Sequence, residues 1–345
     1  MKKYIVSLLL ASAALLSCEK YETYKEVNND FKTNFDAFWK MVDEQYCFLG
    51  YKNIDWDAVR EEMTPRVEAA KTEQEFFNVL ESSLDYLCDG HVWMVSPFKR
   101  YYCETYLYDE NGEKYPENFD FDVVKDHYLK ERFRTKASGI TFGEIERDGK
   151  TFAYIYYSAF AGEWADEDYK YIEPVVAKAD GIIFDIRDNT GGNAEAGMKL
   201  AGNFFDEKTH VAYTAIKTGK GHDDFSEMQA IYCRPSANHD WSDKKTILLT
   251  NRQVYSTANL FSCALKHAKN VTQIGGITGG GGGLPMTHYL PNGWLLVFPG
   301  NVLFDANKQH IECGIAPDIE VTTTDDDFEQ GRDAIIEAAL AELLK

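Results

Sequence analysis

Three loop segments and one histidine of this chain combine residue types from which acyl-transfer chemistry is built. The first segment, Asp185-Ile186-Arg187-Asp188-Asn189-Thr190-Gly191-Gly192, leaves a short apolar run and enters a helical pattern. It therefore stands at the carboxyl end of a strand, where open α/β sheets hold their ligands. Gly191 and Gly192 allow the backbone to turn N–H donors toward a developing oxyanion, although a turn that merely needs positive φ would use the same glycines. The second segment, Thr250 to Asn259, puts Ser256 at the start of another helix. A lone serine there caps the helix by default, yet the same place suits a nucleophile, because the Thr257 N–H can stabilise charge on the substrate. The third, Gly275-Gly276-Ile277-Thr278 with the run Gly279 to Gly283, is close enough in sequence to wall the same cleft. His91, in Asp89-Gly90-His91-Val92-Trp93-Met94, is the proton carrier available near neutral pH, although an isolated histidine of this kind is more often a hydrogen-bonded structural residue.

Other chemistries find no footing. The chain has no G-x-S-x-G elbow, no H-E-x-x-H, no G-x-x-x-x-G-K-[ST] and no G-x-G-x-x-G opening a helix after a strand. Besides Cys18, the cysteines at 47, 88, 103, 233, 263 and 313 are widely spaced with no C-x-x-C pair, so a zinc ribbon is not indicated and six buried free thiols are expected. No metal and no organic cofactor is called for.

The elements that must carry these loops follow from periodicity. Phe31, Phe35, Phe38, Trp39 and Val42, then Phe76, Phe77, Leu80, Leu84 and Leu87, recur at spacings of three and four and predict a helical module over residues 31–96. Residues 97–138 read as a connector, with a hairpin turn at Asp109 to Lys114 and a helix near Phe121 to Phe133. From 139 to 345, short apolar strands (Phe152–Phe160, Gly181–Ile186, Ile247–Thr250, Val271–Ile274) alternate with helices (Ala165–Ala177, Ala194–Phe205, Thr257–Ala268), the pattern of an α/β domain with a largely parallel sheet. A last helix is expected over Phe328–Leu344.

Taken in order, the helical module, DGHVWM, FAYIYYSAF, GIIFDIRDNTGG, ILLTNRQVYSTANLF, QIGGITGGGGG, IECGIAPDIEV and the closing GRDAIIEAALAELL resemble the tail-specific, carboxyl-terminal-processing serine peptidases. The likeness is greater to the branch related to the tricorn core protease and its exported lipoprotein members, and it spans residues 30 to 345. It implies a crotonase-like α/β core, with Ser256 as nucleophile and an oxyanion hole from the N–H groups of Thr257 and of Gly191 or Gly192. In the processing branch the base is a lysine, but the matching position is Gly281 and no lysine lies between Asn270 and Asn307. The tricorn-like pattern instead implies His91 as base and Glu312 as its support, with Gly90 where a helper serine stands and Asn259 where many members have glutamate. Residues 97–138 are too few for the PDZ module of roughly 80–90 residues that many members carry. The reading is a serine peptidase acting on a peptide or protein substrate; the alternative is a catalytically weakened relative that binds peptides without cutting them.

Composition bounds the rest. The 345 residues carry 36 Lys and Arg against 56 Asp and Glu, net −20, a field that repels phosphate backbones and excludes nucleic acid as a natural partner. Met1 to Cys18, two lysines followed by an apolar run ending Leu-Leu-Ser-Cys, has the layout of a secretory signal and resembles a bacterial lipoprotein box. Residues 1–17 are then an address, Cys18 takes a lipid anchor and residues 18–30 are a tether to a membrane of the cell envelope. Loss of the address leaves a net charge of −22.

Overall fold

The computed structural model describes residues 30–109, 111–130 and 132–345. The expected signal segment, the Cys18 anchor and nearly all of the tether lie outside them.

Three helices open the described chain: α1 (Phe31–Gln45), α2 (Trp56–Ala69) and α3 (Glu73–Asp85). Each starts on a side-chain cap from Asp30, Asp55 or Thr72, which satisfies first-turn N–H groups that the helix cannot. Their apolar stripes close on one another and on a four-stranded sheet built from two distant hairpins. That sheet runs β11 (Pro285–Tyr289), β12 (Leu295–Pro299), β1 (Trp93–Val95), β2 (Arg100–Tyr102). The helical module thus shares its core with residues 290–304, including Leu290, Trp294, Leu296 and Phe298.

The second layer is a seven-stranded sheet. Its order is β14 (Ile319–Glu320), β10 (Val271–Gly275), β9 (Thr246–Thr250), β6 (Gly181–Asp185), β5 (Lys150–Tyr157), β4 (Ile140–Arg147), β3 (Phe133–Thr135). The strands from β14 to β5 are parallel and the last two antiparallel. Alternation along β6 and β9 sends Ile182, Phe184 and Leu248 to one apolar cluster and Ile183, Ile247 and Leu249 to another, so both faces are covered. Helices α4 (Asp166–Lys178), α5 (Ala194–Ala201) and α6 (Thr257–Leu265) follow β5, β6 and β9 in the chain. Because β6 and β9 are neighbours, the loops leaving their carboxyl ends lie side by side. A three-stranded sheet, β13 (Asn301–Asp305), β7 (Thr209–Ile216), β8 (Gln229–Cys233), completes the fold.

Several expectations need correction. The terminal helix is two: α7 (Asp325–Glu329) and α8 (Ala334–Leu343). Gly331 stops the first in a left-handed conformation (φ +68°), and Asp333 caps the second through Ile335 and Ile336. The connector helix is shorter than expected: Phe121–Val123 continues into Val124–Leu129 and ends where Lys130 turns left-handed, ahead of β3. Of the six described cysteines, all free, Cys88 and Cys313 are exposed rather than buried.

The GRD turn has a structural cause. Arg187 is fully buried, its Nη2 2.6 Å from Asp185 and its Nη1 2.8 Å from Asp333, with Asn118 O accepting a further bond and the Phe119 ring beneath. This triad ties the loop after β6 to the cap of α8. Arg187→Met strands two buried carboxylates and should destabilise the fold by about 3–5 kcal/mol. An unchanged urea midpoint would contradict that.

Candidate active site

Ser256 ends the loop after β9, immediately before α6. Its backbone is held in an unusual conformation, φ 57° and ψ −121°, which for a residue with a Cβ costs about 1–3 kcal/mol. Its surroundings enforce it: the Ser256 N–H donates to Gly280 O at 2.9 Å, and its carbonyl accepts from Leu260 N at 3.0 Å. The hydroxyl caps no helix N–H. Instead Ser256 Oγ lies 2.9 Å from His91 Nε2, so residues 165 positions apart meet at hydrogen-bond distance.

His91 comes from the turn between α3 and β1, in the amino-terminal module. Asp89 fixes that turn: its Oδ1 accepts the His91 N–H at 2.8 Å and the Tyr255 hydroxyl at 3.1 Å, and its Oδ2 accepts the Tyr46 hydroxyl at 2.9 Å. The imidazole packs edge-on to the Tyr255 ring, centroids 4.9 Å apart. Burial lowers the His91 pKa below the ordinary histidine value, opposed by Asp89 and reinforced by Lys52. The ring is therefore neutral at neutral pH. With Nε2 accepting from Ser256, the ring proton sits on Nδ1, which has no protein partner among the described residues.

On the substrate side, the N–H of Gly191 is taken by Asn189 Oδ1 at 2.9 Å. The neighbouring ladder to Phe160 uses Gly191 O and Asn193 N, so no described acceptor claims the Gly192 N–H. Thr257 is the first residue of α6, and its N–H has no intrahelical partner. Its hydroxyl donates to Gly192 O at 2.7 Å, which joins the two loops that present these donors. Of the expected donors, Gly191 is engaged, whereas the Gly192 and Thr257 N–H groups have no hydrogen-bond acceptor among the described residues.

Glu312 does not hydrogen-bond to the imidazole. Its Oε1 is 2.7 Å from Lys52 Nζ and its Oε2 accepts the Gly282 N–H at 2.7 Å. Lys52 also donates to Leu87 O, Cys88 O and the Tyr46 hydroxyl, and lies 3.8 Å from Asp89 Oδ2. Two carboxylates hold Lys52 protonated above the usual lysine range. Burial, with Asp89 adding to it, raises Glu312 to about 7 against the pull of Lys52. Lys52 and Asp89 carry no motif, although the Asp-x-His spacing of the Asp89 turn is a readable local bond.

The departures from the resembled pattern have steric reasons. A Cβ on Gly281, the position of the processing-branch lysine, would stand 2.6 Å from the Tyr255 ring in a backbone already at φ +80°. One on Gly90 would stand 2.7 Å from the Tyr106 ring. Asn259 is fully buried and hydrogen-bonded at both polar atoms: Nδ2 donates to Ile311 O and Oδ1 accepts from Thr278.

The family model of peptidase family S41 matches residues 151–321, and that of the tricorn protease C1 domain matches 27–84. A solved Parabacteroides merdae protein described as a candidate peptidase is 36% identical, with 92% of this chain and 98% of that one covered and a TM-score of 0.84. The chain belongs to peptidase family S41. Among the curated S41-like relatives, the "Probable CtpA-like serine protease" of Staphylococcus haemolyticus is 27% identical over 143 residues, 41% of this chain. The match spans only 27% of that relative. Mature CPAF in complex with lactacystin shares the fold at 11% identity, TM-score 0.68, covering 91% of this chain and 98% of its own. Serine-type peptide hydrolysis is thus the chemistry of the family.

Proposed function

We propose that this chain hydrolyses peptide bonds with Ser256 as nucleophile and His91 as general base. The observation that carries the reading is the 2.9 Å approach of a neutral, buried imidazole to a serine oxygen that does no capping. Ser256 Oγ bonds to the carbonyl carbon as its proton passes to His91 Nε2. The carbonyl oxygen, now negative, takes hydrogen bonds from the Gly192 and Thr257 N–H groups. The imidazolium returns the proton to the departing amine, and water, activated by the same ring, releases the acyl group. Glu312 acts through Lys52 and Asp89, which fix the turn carrying His91. The steric reasons for Gly90 and Gly281, and the hydrogen bonds of Asn259, account for these departures without invoking a loss of activity. The sequence of residues 1–18 supports export and a lipid anchor on Cys18 in the cell envelope.

The reading makes a pH prediction. A base must be neutral to accept the serine proton, and burial lowers the His91 pKa, so the acid limb of kcat/KM is expected to lie below ~6.5. A limb centred above that value, or a fluorophosphonate adduct mapping away from Ser256, would contradict the assignment.

A further inference from the structure

The face of the four-stranded sheet turned away from the helices starts at the catalytic pair and is apolar except for Thr287 and Arg100 at its two edges. β1 begins two residues after His91, within about 7.6 Å Cα to Cα. β11 begins five residues after Gly280, whose carbonyl holds the Ser256 N–H. Both strands pair antiparallel with β12, so they run in the same direction, away from the catalytic loops. Met94, Leu296 and Phe298 point into the helical core. Their neighbours in the strands face the other way.

Register arranges that outer face in rows. Val297, Trp93 and Tyr102 are directly opposite one another, with the exposed Thr287 at the β11 end of their row, and the next row out holds Tyr289, Leu295 and Val95. None of the six belongs to the three apolar clusters; Val297 is buried between its neighbours in the sheet, and Trp93, Val95 and Leu295 are half-buried. Tyr102 is 54% and Tyr289 64% exposed. The only charged side chain in the two rows is Arg100, at the far edge. The rows are two residues apart, about 6.6–6.8 Å, which is the spacing of same-side side chains in an extended peptide.

We infer that this face is the substrate-binding surface on one side of the scissile bond, and that it selects an extended peptide with apolar side chains at two alternating positions. The inference rests on the peptidase reading and adds the substrate class. An occupant continuous with the reacting carbonyl explains why the apolar rows begin at His91 and Gly280 and why both strands lead away from them. Trp93 and Leu295 are then specificity-determining contacts.

The test uses synthetic peptides that carry Leu, or Ser, at alternating positions, with products mapped by mass spectrometry. The Leu peptides should be cleaved with kcat/KM at least ~10-fold higher. Trp93→Ser with Leu295→Ser should raise KM about tenfold on them with kcat within roughly twofold, and abolish the preference. Tyr232→Ser, on the exposed edge strand β8, should change neither. The same Leu peptide should bind Ser256→Ala protein, and about tenfold more weakly once Trp93→Ser is added. Unchanged preference and unchanged binding overturn the inference while leaving the catalytic assignment intact. If the native protein cleaves nothing, the catalytic assignment fails and peptide binding alone decides the surface. If Trp93→Ser instead dissociates a dimer without altering binding, the face is a self-association surface and the inference is wrong.

Discussion

Ser256→Ala is expected to lower kcat for peptide hydrolysis by roughly 10⁴- to 10⁶-fold with little effect on stability. The hydroxyl makes one side-chain contact, to His91, and caps nothing, so its removal strands no buried group beyond a ring nitrogen. Alanine meets the same backbone strain at φ 57° that serine already bears. His91→Ala should cost about as much, and the double variant no more than the worse single one, because nucleophile and base act as a unit. On the proposed mechanism, the activity left above the uncatalysed rate would come from the Gly192 and Thr257 donors, which neither substitution touches. Steady-state kinetics of the three variants on one peptide decide the matter. Additive losses, or more than a tenth of native activity in Ser256→Ala, would mean that another group attacks the carbonyl.

What the sequence could reveal of this site followed the range of the physics involved. Gly181–Asp185 and Thr246–Thr250 are legible as buried strands because short runs with apolar centres bounded by turns need only local information. Ser256 and His91 are legible as candidate residue types at loop ends. Their 2.9 Å contact is not, since it depends on how the helical module docks on the α/β core. The docking elements β11 and β12 are marked only by Pro291-Asn292-Gly293, a turn signal ahead of the apolar run Trp294 to Phe298. The break after α7 was readable too: a glycine at 331 and an aspartate at 333 are a stop and a start. Lys52 carried no signal. A lysine in an irregular loop after an amphipathic helix reads as exposed, and only the fold brings Glu312 and Asp89, 260 and 37 positions away, against it.

That lysine joins the two halves of the site, and its removal should be felt in both stability and rate. It grips the turn carrying His91 at Leu87 O and Cys88 O, and through Glu312 it grips Gly282, two residues from the carbonyl that holds Ser256. Lys52→Met leaves Glu312, already buried and raised to about 7, without its cation. Breaking such a pair costs about 3–5 kcal/mol when the remaining charge must stay buried. Glu312 can escape by taking a proton, and the sign follows from that. A carboxyl whose pKa is higher folded than unfolded contributes stability at low pH that is lost as pH rises through the folded value. Without Lys52 that value moves up further, so the variant should lose more stability relative to the native protein at pH 8 than at pH 6. Lys52→Met with Glu312→Gln removes the stranded charge and should recover part of the loss, giving a coupling in a double-mutant cycle. Asp89 keeps its bonds from Tyr46, Tyr255 and the His91 backbone in every variant, which limits the damage to the Glu312 side. Denaturant midpoints at the two pH values measure all of this. Equal losses at pH 6 and pH 8, or no coupling in the cycle, would show that Glu312 carries no buried charge for Lys52 to balance.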